Sequence, residues 1–328
     1  MLLIRKRGDR CAGREASQRR GLRTAGIWLA IGLAVGSVSA LTTWSSDRGV
    51  DPQRRPVSLD ALHRLPPVNA VVYSWDPAGA RITRAQQRLT VACMARHGLS
   101  YRPAAPATKS DVGQEWPTPF GRESLAPYGG RARDGSESST GRSAAYGRAL
   151  LGDPGKQITA HGERLSVSAP AEGCLAEAEQ RMLGDQRVRW MQLQILLQEA
   201  QQDALGMVMR DRLFRAANAR WSACMHRAGF ELASPSEVAA HSQPGKDAGS
   251  SRLPPADVRC KERDDYLSVA YTRLAVFQRR WLTQHPDVLR DRAALVRKQD
   301  AIARTLLGVG TARSDSTRGP TGTADRRG

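Results

Sequence analysis

One heptapeptide occurs twice in this chain, and each copy fixes a helix end beside a cysteine. Ala92-Cys93-Met94-Ala95-Arg96-His97-Gly98 and Ala223-Cys224-Met225-His226-Arg227-Ala228-Gly229 share the pattern A-C-M-x-R-x-G. An amphipathic run leads into each cysteine, and the glycine five residues on supplies the left-handed backbone that closes a helix cheaply. Each copy is followed by a further helix start carrying a cysteine, at Pro170 to Cys174 and at Pro255 to Cys260. A chain with cysteines at four helix ends is restricted to folds that bring those ends together.

The N-terminus sets the expected compartment. Residues 1–25 carry eight basic side chains, Arg5, Lys6, Arg7, Arg10, Arg14, Arg19, Arg20 and Arg23, against Asp9 and Glu15. An uncharged run follows from Thr24 to Ser46. A basic region before an apolar one is the pattern of an export signal. Residues 26–44 are long enough to cross a bilayer core of about 30 Å if their last residues sit in the interface, and the charge asymmetry places the N-terminus in the cytoplasm. Val38-Ser39-Ala40 also has the small residues of a signal-peptidase site, so the expectation is either a single-pass anchor with the rest outside, or a secreted chain cleaved near Ala40. Arg19-Arg20 precedes this segment as in a twin-arginine signal, although Gly21-Leu22-Arg23 fits that signal poorly. Cys11 lies before the apolar segment, and no cysteine follows it closely enough for lipid modification.

Outside the cytoplasm, Cys93, Cys174, Cys224 and Cys260 form an even set in an oxidising medium, so two disulfides are expected. The repeat favours Cys93 with Cys174 and Cys224 with Cys260, because in each half the chain turns back from a helix end to the next helix start. The rival, Cys174 with Cys224 and Cys93 with Cys260, follows if an antiparallel hairpin sets its own start beside its end.

In chain order, residues 45–80 are rich in proline and read as a spacer, with Val68 to Trp75 a short extended or irregular piece. Ile82, Ala85, Leu89, Ala92 and Cys93 recur at helical spacing from Arg81 to His97. Residues 103–142 hold Pro, Gly, Ser and Thr in quantity and read as a long disordered insert, in which Trp116, Phe120 and Tyr128 are costly to leave in water and favour some folding back. Ser143 to Leu151 reads as a short helix closed at Gly152. From Pro170 helical character runs to Arg227, with breaks expected at Gly184-Asp185 and Leu205-Gly206. The stripes Trp190, Leu193, Leu197, Ala200, Ala204 and Phe214, Ala217, Trp221, Cys224, Ala228 are expected to bury against each other. Ser234-Pro235-Ser236-Glu237 is a capping box, residues 241–254 a polar loop, and Pro255 the start of a long helix ending before Pro286. Asp287 caps a last helix with Val288, Leu295, Ile302 and Leu306 inward, before a disordered tail from 308. The fold class expected is all-α: a disulfide-stapled bundle of hairpins over residues 81–307.

The chemistry is sparse. The six histidines, His63, His97, His161, His226, His241 and His285, are scattered, and the chain has no G-x-S-x-G, glycine-rich phosphate loop or C-x-x-C. Cys93 and His97 are at a ligand spacing, but Ala228 occupies the position of His97 in the second copy, so no catalytic, metal or cofactor residue is assigned.

The C-M-x-x-x-G repeat, Tyr146 to Gly152 (Y-G-R-A-L-L-G), Gly173-Cys174 with Glu177-Ala178, Trp221-Ser222-Ala223-Cys224-Met225 and the Cys260 helix together resemble a group of uncharacterised exported proteins of actinobacteria, over roughly residues 85–285. The resemblance implies an envelope setting beside export or cell-wall functions and supplies no activity. The basic character of this chain departs from the group. Lys and Arg number 50 against 32 Asp and Glu, a net charge of +18, which favours anionic partners such as wall polymers or headgroups, and the compartment argues against nucleic acid. The expectation is a membrane-tethered, non-enzymatic binding or accessory protein of the envelope. An exported hydrolase or wall-modifying enzyme, or a binder of anionic wall polymer, stands as the alternative.

Overall fold

The structure is a computed structural model and describes residues 3–6, 57–106, 108, 116–125, 143–241 and 248–309. Its helices are α1 (Leu59–Arg64), α2 (Pro67–Tyr73), α3 (Pro77–Arg96), α4 (Ala144–Leu151), α5 (Cys174–Leu183), α6 (Arg187–Arg210), α7 (Arg212–Arg227), α8 (Ser236–His241), α9 (Ala248–Arg263), α10 (Tyr266–Gln284) and α11 (Pro286–Leu307). Three short strands, β1 (Leu3–Lys6), β2 (Gln157–His161) and β3 (Leu165–Pro170), form an antiparallel sheet in the order β1-β3-β2.

The fold is therefore mostly helical, as expected, with one small antiparallel sheet that the all-α reading does not include. Ile158 and Ala160 on β2 and Leu165 and Val167 on β3 alternate with polar residues, and Gly162-Glu163-Arg164 closes a hairpin with Ala160 opposite Val167. The hairpin ends at Pro170, which corrects the expected helix start there; α5 begins at Cys174 behind Gly173. On the other edge of β3, Leu3 lies opposite Ser168 and Lys6 opposite Leu165.

The buried carboxylate of Glu199, 1% exposed, fastens the hairpin to α6 by accepting from the backbone N–H groups of Glu163 (2.9 Å), Arg164 (2.7 Å) and Leu165 (2.6 Å). Gly162 permits this approach: a Cβ there would stand 2.6 Å from Ile195 Cγ2 and would also strike the carboxylate. Replacing Glu199 with alanine strands three turn amides, so we expect a loss of about 2–3 kcal/mol, with amide exchange accelerated across residues 157–170 and unchanged in α10. Unaltered exchange in the hairpin would show that Glu199 is not what holds it.

Residues 57–80 also depart from expectation. The expected spacer is two helices and the first turn of a third, with Leu62 (4% exposed) and Val68 (0%) in the core, and the expected extended piece at 68–75 is largely α2. Pro66 offers α2 no side-chain cap, and Gln278 of α10 takes that role: its Oε1 accepts from Val68 N at 2.8 Å while its Nε2 donates to Asn69 Oδ1 at 2.7 Å. Residues 45–56 of the spacer lie outside the described residues.

The two apolar stripes bury against other helices more than against each other. Leu193, Leu197 and Ala200 of α6 pack with Val68, Trp281, Val288 and Leu295, whereas Phe214, Ala217, Trp221 and Cys224 of α7 pack with Leu253, Ala256, Cys260, Tyr266, Tyr271 and Leu274. The helix break falls at Asp211 rather than at Gly206. The Asp211 side chain caps α7 through Leu213 N (3.0 Å) and Phe214 N (3.2 Å), and no comparable cap exists at Gly206, which continues α6. The long helix expected from Pro255 is two helices. Buried Leu253 draws α9 back to Ala248 through Pro254 and Pro255, and Asp265 at φ 52° separates α9 from α10. The short helix at α4, closed at Gly152, is as read from the sequence. At the expected capping box, however, Ser234 Oγ donates to Glu237 Oε1 (3.2 Å) and caps no backbone N–H, and α11 starts at Pro286, ahead of Asp287, with no side-chain cap.

Helices α3 and α11 are clamped by Arg81, whose Nε and Nη2 donate to Asp300 Oδ1 (2.7 Å) and Oδ2 (3.0 Å), with Arg304 Nε on Oδ2 at 2.9 Å. The Arg81 hydrogen bond, against some desolvation, holds the Asp300 carboxyl below the usual carboxylate range. A depressed folded value means that stability is fully present above the ordinary value of about 3.9 and is lost as pH falls through the folded one. We therefore expect the stability gap between wild type and Asp300→Asn to narrow in urea titrations taken from neutral pH to about pH 3. A gap that stays constant would contradict the clamp.

No helix among the described residues is long and apolar enough to cross a membrane. The expected membrane or signal segment, residues 26–44, and the tail beyond 309 lie outside the described residues, as do Cys11 and Tyr128.

Candidate functional site

The repeated heptapeptide is a repeated structure. In the first copy Leu99 N donates to Met94 O (3.0 Å) and Gly98 N to Ala95 O (2.9 Å), with Gly98 at φ 70°. In the second, Phe230 N donates to Met225 O and Gly229 N to His226 O, both at 2.9 Å, with Gly229 at φ 86°. Both are helix closures in which the apolar residue after the glycine folds back over the methionine, and Leu99 and Phe230 pack accordingly. Each methionine is fully buried.

Beside these closures the cysteines pair as Cys93–Cys174, with Cα atoms 5.5 Å apart, and Cys224–Cys260, at 5.7 Å. All four expected residues are thus in disulfides, in the pairing the repeat favours, and the rival pairing does not form. Cys93 and Cys174 join α3 to the start of α5; Cys224 and Cys260 join α7 to α9.

The surroundings of the two bridges differ. At the first, a ring nitrogen of His97 comes within 4.8 Å of both sulfurs, which makes Cys93, His97 and Cys174 one cluster of potential metal ligands. Glu177, one turn into α5, places Oε2 3.3 Å from Cys93 Sγ, while its Oε1 takes a 2.5 Å ion pair from Arg96. Gly152 and Gly173, both at positive φ, cross backbone to backbone here: a Cβ on Gly173 would lie 2.6 Å from Leu151 C. That close crossing leaves a surface depression of about 410 Å³ lined by Cys93, His97, Glu172, Gly173, Ala176 and Glu177. The cysteines are buried and His97, at the end of α3, is exposed, so this corner has a buried disulfide floor and an imidazole at its rim.

A second concentration of polar groups is buried under residues 116–125. His63 Nε2 pairs with Glu123 Oε2 at 2.6 Å, Tyr271 Oη donates to Glu123 Oε1, and Trp116 stacks on His63 with ring centres 5.4 Å apart. Next to it Lys261 Nζ donates to Asp257 Oδ2 (2.9 Å) and to Arg122 O (2.6 Å), and Trp221 Nε1 donates to Asp257 Oδ1 (3.0 Å). Burial lowers the Lys261 ammonium from its ordinary value and raises the Asp257 carboxyl, and each is partly restored by the other's charge. These carboxylates are closed over by Trp116 and Phe120, so the network ties the 116–125 segment to the core. This part of the expected disordered insert is therefore ordered, and the large aromatics within it were the available signal.

The other histidines stay dispersed. His161 Nδ1 meets Ser166 Oγ at 2.8 Å, His226 faces Glu231 at 3.0 Å, His241 Nδ1 lies 2.8 Å from Glu237 O, and His285 stacks on Trp281 and reaches Glu163 at 3.0 Å. No family, curated protein or solved structure matches the chain.

Proposed function

We propose that this chain is an exported helical protein of the cell envelope, tethered by residues 26–44 or released by cleavage near Ala40, that acts as a non-enzymatic binding or accessory protein. The observation that carries the reading is the pair of disulfides, each between separate helices, because such bridges persist in oxidising compartments and are rare in the cytosol. The basic leader before an apolar run supports export, and the net charge of +18 favours anionic wall polymer as a second class of partner. Anchoring has a structural consequence. A span at residues 26–44 would put Leu3–Lys6 and β3 on opposite sides of the bilayer, so the β1–β3 pairing and the anchored topology are alternatives.

The test is protease accessibility on intact spheroplasts carrying a C-terminally tagged full chain, followed by crosslinking on whole cells. Digestion of the domain, with capture of an envelope protein or salt-labile retention on the wall, supports the reading. Survival of the full-length chain and free alkylation of all four thiols in cells refutes it.

A further inference from the structure

We propose that Cys93, Cys174 and His97, when the bridge between the cysteines is open, form a binding site for one zinc-like divalent cation, with Glu177 as the fourth ligand. The inference is independent of the envelope assignment, since it rests on the geometry of one corner of the fold.

Zinc takes tetrahedral sets of thiolate, imidazole and carboxylate, with Zn–S of about 2.3 Å and Zn–N of about 2.0 Å, so ligand atoms around it stand about 3.3–3.8 Å apart. Here the two sulfurs and a His97 nitrogen already lie within 4.8 Å of one another. The imidazole belongs to the exposed end of α3, and its ring must turn toward the sulfurs to close the remaining gap. A Cα separation of 5.5 Å lets side-chain rotation alone spread the sulfurs to a zinc-bound distance. Glu177 Oε2 is 3.3 Å from Cys93 Sγ, and Arg96 fixes the other oxygen of that carboxylate at 2.5 Å, an outer-shell contact of the kind that orients metal-binding carboxylates. The depression lined by Cys93, His97 and Glu177 gives an ion access to this corner.

The chain carries its own comparison. Cys224 and Cys260 have the same helix closure and a similar Cα separation, but Ala228 stands where His97 does in the first copy, and among the described residues Cys93, His97 and Cys174 are the one such ligand group found. One repeat is a plain staple; the other is a staple with a third ligand.

The two states exclude each other, and the exchange balances. A dithiol reduces the bridge by thiol–disulfide exchange, two electrons and two protons passing to Cys93 and Cys174 as the dithiol closes into its own disulfide. The cation then binds two thiolates, His97 and Glu177, and the two thiol protons leave to solvent. Exchange with a small-molecule disulfide, which takes the two electrons and leaves as two thiols, re-forms the bridge and expels the ion.

The test uses the full chain, reduced without oxygen by a phosphine, freed of reductant and titrated with cobalt(II) as the spectroscopic stand-in for zinc. The expected result is one equivalent bound, with thiolate-to-cobalt charge transfer and intense tetrahedral d–d bands, bleached by one equivalent of zinc and absent from the oxidised protein. His97→Ala should weaken binding at least roughly tenfold, since even outer-shell partners cost that much, while His226→Ala leaves it unchanged. Zinc should protect Cys93 and Cys174, and not Cys224 and Cys260, from alkylation read by peptide mass. Failure to take up cobalt, a spectrum indifferent to His97→Ala, or equal protection of all four cysteines overturns the proposal. The last also covers a reduced chain that has simply unfolded around the metal.

Discussion

Replacing Lys261 with methionine is expected to destabilise the protein by about 3–5 kcal/mol, because it removes one partner of a buried ion pair and leaves the other charged and dry. Lys261 is 1% exposed and Asp257 0%. Without the ammonium, the Asp257 carboxylate keeps only the Trp221 N–H, and the carbonyl of Arg122 loses its 2.6 Å donor. The segment that carries Phe120 and Glu123 over the core is thereby released at one end. Asp257→Asn should be costly for the opposite reason, a buried ammonium left with the Arg122 carbonyl and the more distant charge of Glu123. The double variant Lys261→Met with Asp257→Asn should recover a substantial part of the summed loss, since neutral groups of similar shape replace the pair. Urea denaturation of the four proteins at neutral pH decides this. Two singles each costing under about 1 kcal/mol and adding without coupling would mean that water reaches the pair.

What the sequence makes legible follows from periodicity and from local chemistry. The helix over Arg81 to His97, the closures at Gly98 and Gly229 and the apolar face of the last helix depend on spacing and on glycine, and the structure has them, although that last helix starts at Pro286 without a cap from Asp287. The misses are places where a distant partner decides. Val68 to Tyr73 has no period that marks a helix; it becomes one because Gln278, more than two hundred residues away, caps its start and the core receives Val68. Pro170 and Pro255 each suit a helix's first turn by themselves, yet one ends a strand held by Glu199 and the other is carried inside a helix by the burial of Leu253. Gly206 is the weaker helix former, but Asp211 breaks the run because it alone can cap the next helix.

The candidate site was legible to the same degree. The four cysteines and their pairing follow from the repeat. The third ligand was visible as a Cys-x-x-x-His spacing, but its asymmetry between the copies told against it, and only the approach of Cys174 and Glu177 from α5 gives His97 company. The Glu123 network had no sequence signal of its own: His63, Glu123 and Tyr271 are separated by 60 and 148 residues, and only the aromatic residues around Glu123 hinted that its segment returns to the core.

The second large effect concerns the bridges, where the chain-entropy estimate nearly cancels and location decides. Removing Cys93–Cys174, of separation 81, should cost about 4.5 kcal/mol and removing Cys224–Cys260, of separation 36, about 3.8 kcal/mol, so on loop length alone the first matters slightly more. The consequences should nevertheless run the other way. Cys93 and Cys174 sit in a small satellite cluster with Met94, Leu99, Tyr101, Tyr146 and Leu150, so losing that bridge loosens α4 and the start of α5 from the end of α3. Cys224 and Cys260 lie within the largest core cluster with Trp221 and Tyr266, and Cys260 is on the helix that also carries the Asp257–Lys261 pair. In alanine pairs, Cys93→Ala with Cys174→Ala should accelerate amide exchange around residues 93–101 and 144–177 while the near-ultraviolet aromatic signal survives. Cys224→Ala with Cys260→Ala should shift every probe together and weaken that signal, because α7, α9 and the 116–125 segment share one packed unit and open as one. Exchange confined to the second bridge's own loop, with the first bridge's loss unfolding the whole chain, would reverse this assignment and make the α3–α5 corner the cooperative centre of the fold.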